Sequence, residues 1–121
     1  RNYLASRYKK KLASLPIKFQ NINIQNYSSY HLFTINLQKN LHIKNYDKIF
    51  NFLRKQKIFV QKHYILIYKH PYYKKLLGNI YLKNSENFSN SVISLPLYPT
   101  LKLNEQDFII KKLFEILNKV K

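Results

Sequence analysis

Eight residues, Tyr30-His31-Leu32-Phe33-Thr34-Ile35-Asn36-Leu37, limit the fold more than any other stretch. His31, Phe33, Ile35 and Leu37 alternate with Tyr30, Leu32, Thr34 and Asn36, the period of two that puts one apolar face of a strand against a core. That face predicts His31 as a satisfied core histidine. A chain holding such a strand must lay something apolar on it, and the flanking segments repeat at helical spacing.

Leu4, Ala5, Tyr8 and Leu12 recur at intervals of three and four, so Arg1 to about Ser14 reads as an amphipathic helix stopped by Pro16. Neither an initiator Met nor an N-capping residue stands ahead of Arg1, and the chain is expected to continue upstream. Ile17 to Ile24 reads as extended, followed by a polar turn cluster at 25–29. Positions 40–45 read as a connector, with Asn45 capping a helix over Tyr46 to Gln56 that turns Ile49, Phe50 and Leu53 to one side. A second strand is expected over Ile58 to Tyr64. Pro71 opens a short helix that Gly78 stops, and another helix runs from Asn84 to about Ile93, with Phe88 and Val92 on a shared face. Ser94 to Tyr98 reads as a short strand. Asn104 is the expected cap of a last helix whose stripe is Phe108, Ile109, Leu113, Ile116, Leu117 and Val120. The sum is an α+β two-layer domain, a small three-stranded and largely antiparallel sheet with helices packed on it, filling residues 1–121 as one unit.

Composition excludes several functions. The longest apolar runs fall far short of the roughly 20 residues a membrane-spanning helix needs, and the N-terminus lacks a signal peptide's apolar stretch, so a cytoplasmic chain with no membrane partner is expected. Without cysteine there is no disulfide or thiolate metal site. Four histidines without i,i+4 pairing or a nearby carboxylate argue against a metal site, and His42 and His70 have no supporting context. With Gly78 as its one glycine, the chain has no glycine-rich phosphate loop. The formal net charge of +17 points towards nucleic acid. Against that, arginine, the preferred bidentate reader of phosphate and guanine, occurs at positions 1, 7 and 54 alone, and the lysines are scattered apart from Lys9-Lys10-Lys11. No nucleic-acid partner is therefore expected. The alternative is a stand-alone basic nucleic-acid-binding or interaction domain, using Lys9 to Lys11, Lys74 and Lys75.

A run of short motifs in fixed order carries more. The aromatic-His-Leu-Phe run at Tyr30 to Phe33, then His63-Tyr64-Ile65-Leu66-Ile67-Tyr68-Lys69-His70-Pro71-Tyr72-Tyr73, then Ser94-Leu95-Pro96-Leu97-Tyr98-Pro99 and a helix containing Glu105-Gln106-Asp107, resembles the C-terminal small domain of the DegT/StrS family of sugar-nucleotide aminotransferases. The order spans almost the whole chain. It departs from the family where Leu66 replaces a proline, where Lys57 stands in place of a helix-ending glycine, and at 79–83, which lacks the usual Asp-Phe-Pro.

The resemblance implies the small domain of a fold-type I enzyme that uses pyridoxal 5'-phosphate to move an amino group from an amino acid, usually glutamate, to the keto group of a nucleotide-linked deoxysugar, in cell-surface glycan or flagellin sugar biosynthesis. It places the catalytic lysine and the cofactor groups in a large upstream domain, and assigns no catalytic or cofactor-binding residue here. It implies a homodimer with a nucleotide-sugar substrate and an amino-acid donor. His63 and Tyr64, and less directly Tyr68, are the substrate-contact candidates, because an imidazole and a phenol at a strand end can bond diphosphate or sugar oxygens. The competing roles are a packed Tyr64 and a His63 bonded to a backbone carbonyl.

Overall fold

The computed structural model of the chain describes residues 1–120, with the backbone alone given at positions 39, 40 and 42–44. The side chain of His42 lies outside the described residues. The elements run α1 (Asn2–Lys11), β1 (Ile17–Phe19), β2 (Phe33–Leu37), α2 (Lys39–Lys55), a 3-10 turn at Ile67–Lys69, α3 (Pro71–Leu77), α4 (Lys83–Ser89), β3 (Val92–Leu95) and α5 (Leu103–Lys119). The sheet has the order β1-β2-β3 and is antiparallel throughout, with Ile17 opposite Leu37 and Phe33 opposite Leu95.

The alternation in β2 does what it predicts from Phe33 onward. Phe33, Ile35 and Leu37 are buried while Thr34 and Asn36 are half-covered. Tyr8 of α1 stacks on Phe33 with ring centroids 5.0 Å apart, and its buried hydroxyl donates to the Pro96 carbonyl at 3.2 Å. Burial pushes that phenol's pKa upward. Helix α5 supplies Ile109, Ile110, Leu113, Ile116 and Leu117 to the same core. Each such aliphatic side chain contributes about 1.5–3 kcal/mol by leaving water. At the start of α5, Gln106 is fully buried, accepting from Arg7 at 2.8 Å and donating to the Leu4 carbonyl at 2.8 Å, so one amide ties α5 to α1. Beside it Asp107 accepts from Arg7 and Lys11. Two members of the basic cluster at 9–11 thus have partners within the chain, since Lys9 donates to the Tyr30 hydroxyl at 3.0 Å.

Several sequence expectations are corrected. His31 is exposed, because Tyr30 takes a positive φ of 44° and the chain bends before the strand begins. Positions 40–45 are helical, not a connector, and α2 begins at Lys39. Leu41 lies four-residue steps before Ile49 and Leu53 on the buried face, and that packing outweighs the poor helix preference of the asparagines. Asn45 therefore sits inside α2 and does not cap it; its side-chain amide donates instead to the Val120 carbonyl at the end of α5, at 3.5 Å. The third strand is Ile17–Phe19, not 58–64. In the latter segment Ile58 and Val60 are buried in alternation, but Gln61 alone pairs, as an isolated bridge with Ser94. The last strand starts two residues early, at Val92, and α4 ends at Ser89. In α5 the helix begins at Leu103. The Glu105 carboxylate accepts from the Lys102 N–H at 2.9 Å, and Phe108 turns out of the core while Ile110 turns in.

Lys57 shows what the missing glycine would have done. Its φ is 60°, the Lys57 N–H donates to the Arg54 carbonyl at 2.9 Å, and the Ile58 N–H reaches back to Leu53 at 3.0 Å. Those two bonds and the buried Leu53 and Ile58 form a Schellman closure of α2, built with a lysine in the left-handed position.

Candidate functional site

From Gln61 to Phe88 no residue is buried. This arm leaves the sheet at the Gln61–Ser94 bridge, where backbone bonds of 3.1 and 2.9 Å run in both directions, and it rejoins the core at Ser89. The bridge fixes the position of His63. Its Nδ1 lies 2.7 Å from the hydroxyl oxygen of Ser94, a residue buried in β3. Its ring meets Tyr64 edge-on at 4.7 Å between centroids. His63 thus bonds a buried side-chain hydroxyl, not a backbone carbonyl. Tyr64 is 67% exposed and packs in no core.

The two residues line a groove of about 320 Å³ with Ile65, Ile67, Tyr68 and Phe88. Its walls are apolar except for the imidazole, the two phenols and the hydroxyls of Ser85 and Ser89. A groove with that lining suits a ligand carrying an apolar face and a few hydrogen-bonding oxygens.

Tyr68 reaches the same groove with its ring, but its hydroxyl is committed elsewhere. It donates to Glu86 Oε1 at 2.9 Å, while Lys69 Nζ donates to Glu86 Oε2 at 2.6 Å. The lysine and then the phenol hold the Glu86 carboxyl below the usual carboxylate range. Partial burial, and next the Glu86 carboxylate, raise the Tyr68 pKa, so the phenol stays protonated as the donor. The structure therefore gathers His63, Tyr64 and Tyr68 into one groove, and makes Tyr68 a strap between the 3-10 turn and α4. Sequence reasoning missed Ser94 and Glu86. Ser94 was visible as the first residue of a motif, but which side chain it faces depends on the 31-residue return from His63.

A second concavity, of about 490 Å³, lies near the end of α2 and the start of α5, among Phe59, Pro96, Tyr98, Leu101 and Phe108. Tyr98 is half-exposed here, beside the corner at Pro99 that the sequence predicts. No described helix is long and apolar enough to cross a membrane, and no group of three or more metal-ligating side chains is found among the described residues. None of the described lysines is buried, and with one glycine the chain has no glycine-rich phosphate loop. The residues present do not fit a pyridoxal phosphate seat.

Residues 1–114 match the family described as the DegT/DnrJ/EryC1/StrS aminotransferase family. The UDP-4-amino-4,6-dideoxy-N-acetyl-beta-L-altrosamine transaminase of Campylobacter jejuni subsp. jejuni serotype O:2 is 37% identical over 123 residues, covering 100% of this chain and 32% of that protein. Among solved structures, Helicobacter pylori PseC, an aminotransferase involved in the biosynthesis of pseudoaminic acid, is similar with a TM-score of 0.84 at 26% identity, over 98% of this chain and 32% of that one. The structure of ntda from Bacillus subtilis with bound cofactor PMP has a TM-score of 0.77 at 25% identity, over 98% and 28%. The chain spans about a third of the length of the curated relatives it matches.

Proposed function

Because the chain belongs to the DegT/DnrJ/EryC1/StrS aminotransferase family, we propose that it is the C-terminal small domain of a sugar-nucleotide aminotransferase whose large domain lies upstream. The substrate of this reading is a UDP-linked 4-keto-6-deoxy sugar of the pseudaminic acid pathway, with glutamate as amino donor. The enzyme works as a cytoplasmic homodimer. The observation that carries it is the 37% identity, over the whole chain, to a UDP-4-amino-4,6-dideoxy-N-acetyl-beta-L-altrosamine transaminase. The family's chemistry and the PMP-bound relative support pyridoxal phosphate as cofactor, which would accept the amino group from the donor and pass it to the sugar. The groups that hold it belong to the large domain.

This chain's part is to cover the cleft and hold the sugar nucleotide. The apolar surface left bare along the arm, including Tyr64, Ile65, Ile67, Tyr72 and Leu76, supports a domain that packs against more protein than the chain contains. His63 and Tyr64 donate hydrogen bonds to diphosphate or sugar oxygens in the groove. Tyr68 lends its ring as a wall while its hydroxyl braces the arm through Glu86. Committing these groups before substrate arrives saves ordering entropy at binding.

The test is amino transfer by the full-length protein, followed by mass spectrometry of the sugar nucleotide after incubation with glutamate, pyridoxal phosphate and a UDP-4-keto-6-deoxy sugar. An amino group on the sugar is expected. His63→Ala and Tyr64→Phe should each raise the KM for the sugar nucleotide more than they lower kcat. Absence of transfer to any 4-keto sugar nucleotide would sink the reading.

A further inference from the structure

We propose that Ser94 is a positioning residue for the substrate-contacting His63, fixing its neutral ring as the Nε2–H tautomer so that a donor, not an acceptor, faces the groove. The inference rests on the reading of His63 given above. The geometry begins with the bridge at Gln61, which bonds both the N–H and the carbonyl of Ser94; among the described residues the hydrogen-bond partner of its side chain is His63 Nδ1 at 2.7 Å. Ser94 is 4% exposed, so burial leaves its hydroxyl little access to water in place of that nitrogen.

Two arrangements of the pair are possible. If Nδ1 carried the proton and donated to Ser94 Oγ, the serine hydrogen would be buried with no described acceptor, a costly state for a hydroxyl. If the serine donates to Nδ1, both groups are satisfied, and the proton of the neutral ring must sit on Nε2. The second arrangement puts an N–H on the nitrogen turned away from Ser94, on a ring that lines the groove, the polarity that oxygens of a diphosphate or a sugar require. The arm holds no carboxylate close to His63 that could orient the ring instead: its one acidic residue, Glu86, is bonded to Tyr68 and Lys69.

The experiment uses the full-length protein labelled with 15N in histidine. Two-bond proton–nitrogen spectra at neutral or higher pH report which ring nitrogen bears the proton, and the His63 signals are assigned by their loss in His63→Gln. The wild type should show the Nε2–H pattern at His63. Ser94→Ala, which deletes one buried oxygen and leaves the strand side chain otherwise intact, should convert it to a mixture of tautomers. Ser94→Thr, which restores a hydroxyl, should recover the wild-type pattern. In the transfer assay Ser94→Ala should raise the sugar-nucleotide KM about tenfold with little change in kcat, and Ser94→Thr should recover most of it. An Nδ1–H pattern in the wild type, or an unchanged pattern in a folded Ser94→Ala protein, overturns the proposal. If Ser94→Ala does not fold, the wild-type spectrum alone decides. Because the tautomer is read without turnover, it separates failure of this inference from failure of the aminotransferase reading.

Discussion

Replacing Lys57 by glycine should stabilise the protein, an unusual outcome for a single substitution. Lys57 holds φ at 60°, and this left-handed position costs an L-residue about 1–2 kcal/mol through the clash of Cβ with the following carbonyl. Glycine removes that cost but loses more backbone freedom on folding, about 0.5–1 kcal/mol. The side chain offers little to offset the strain, since it is exposed and forms no ion pair among the described residues. Both Schellman bonds come from backbone groups, Lys57 N–H to Arg54 and Ile58 N–H to Leu53, and survive the change. The net expectation is a gain of about 0.5–1 kcal/mol. Urea unfolding should show it as a midpoint shifted upward by roughly 0.5 M at an unchanged slope. Lys57→Ala keeps the Cβ and should lie within about 0.5 kcal/mol of the wild type, the range of ordinary surface changes. Glycine proving no more stable than alanine would refute the argument, because the strain that Cβ brings at this φ is set against glycine's greater loss of backbone freedom and is expected to exceed it.

Two further predictions test how the helices are joined and how the surface carboxylates act. Gln106→Ala should destabilise the protein by about 3 kcal/mol, combining a neutral hydrogen bond to Leu4, a charge-assisted one from Arg7 and the void left at a fully buried site; a loss below about 1 kcal/mol in urea unfolding would show that the amide bridges nothing of consequence. Asp107, held down by Lys11 and then Arg7, and Glu115, held down by Lys112 and then Lys119, titrate below their ordinary values of 3.8 and 4.5 in the folded chain. Their contribution is therefore complete above those values and is lost as pH falls through the lower folded ones. Unfolding midpoints should be insensitive to these groups between pH 7 and about pH 5 and should drop below about pH 4.5, less so at high salt. A flat profile down to pH 3 would contradict the assignment.

What the sequence makes legible is what periodicity can report. Strand β2 from Phe33, helix α1 and the stripe of α5 are each packed along one face, and their spacing says so without any knowledge of partners. The errors share a different cause. The asparagine-rich start of α2 reads as a connector because propensity is local, whereas Leu41 is helical for the sake of a contact with elements far along the chain. The segment from Ile58 alternates as a strand does, and its inward residues are indeed buried, but a strand also needs a neighbour along its whole length and this one finds a partner at Gln61 alone. Alternation reports which side chains turn inward, and says nothing of where backbone hydrogen bonds go.

The arm from Gln61 to Phe88 takes that distinction further. Tyr64, Ile65, Ile67, Tyr72, Leu76, Leu77, Tyr81 and Leu82 would count towards a core in any reading of apolar content, and every one of them is exposed. The chain's own core closes without them, through α1, α2, α5 and the sheet. Within the arm, order comes from polar ties: His63 to Ser94 at one end, and Tyr68 and Lys69 to Glu86 further out. These ties shape a surface and leave its apolar residues free, the reverse of the division of labour in the core, where apolar contacts hold and polar groups are satisfied. Selection for folding of this chain alone gives no reason to keep so many exposed aromatic and aliphatic side chains on a polar-braced arm, since exposed apolar patches of this size carry an aggregation liability. A partner or ligand covering them would remove that liability. The motif singles out His63 and Tyr64 as candidates, whereas the way the arm is held depends on Ser94 and Glu86, which lie 31 and 18 residues downstream of their partners His63 and Tyr68.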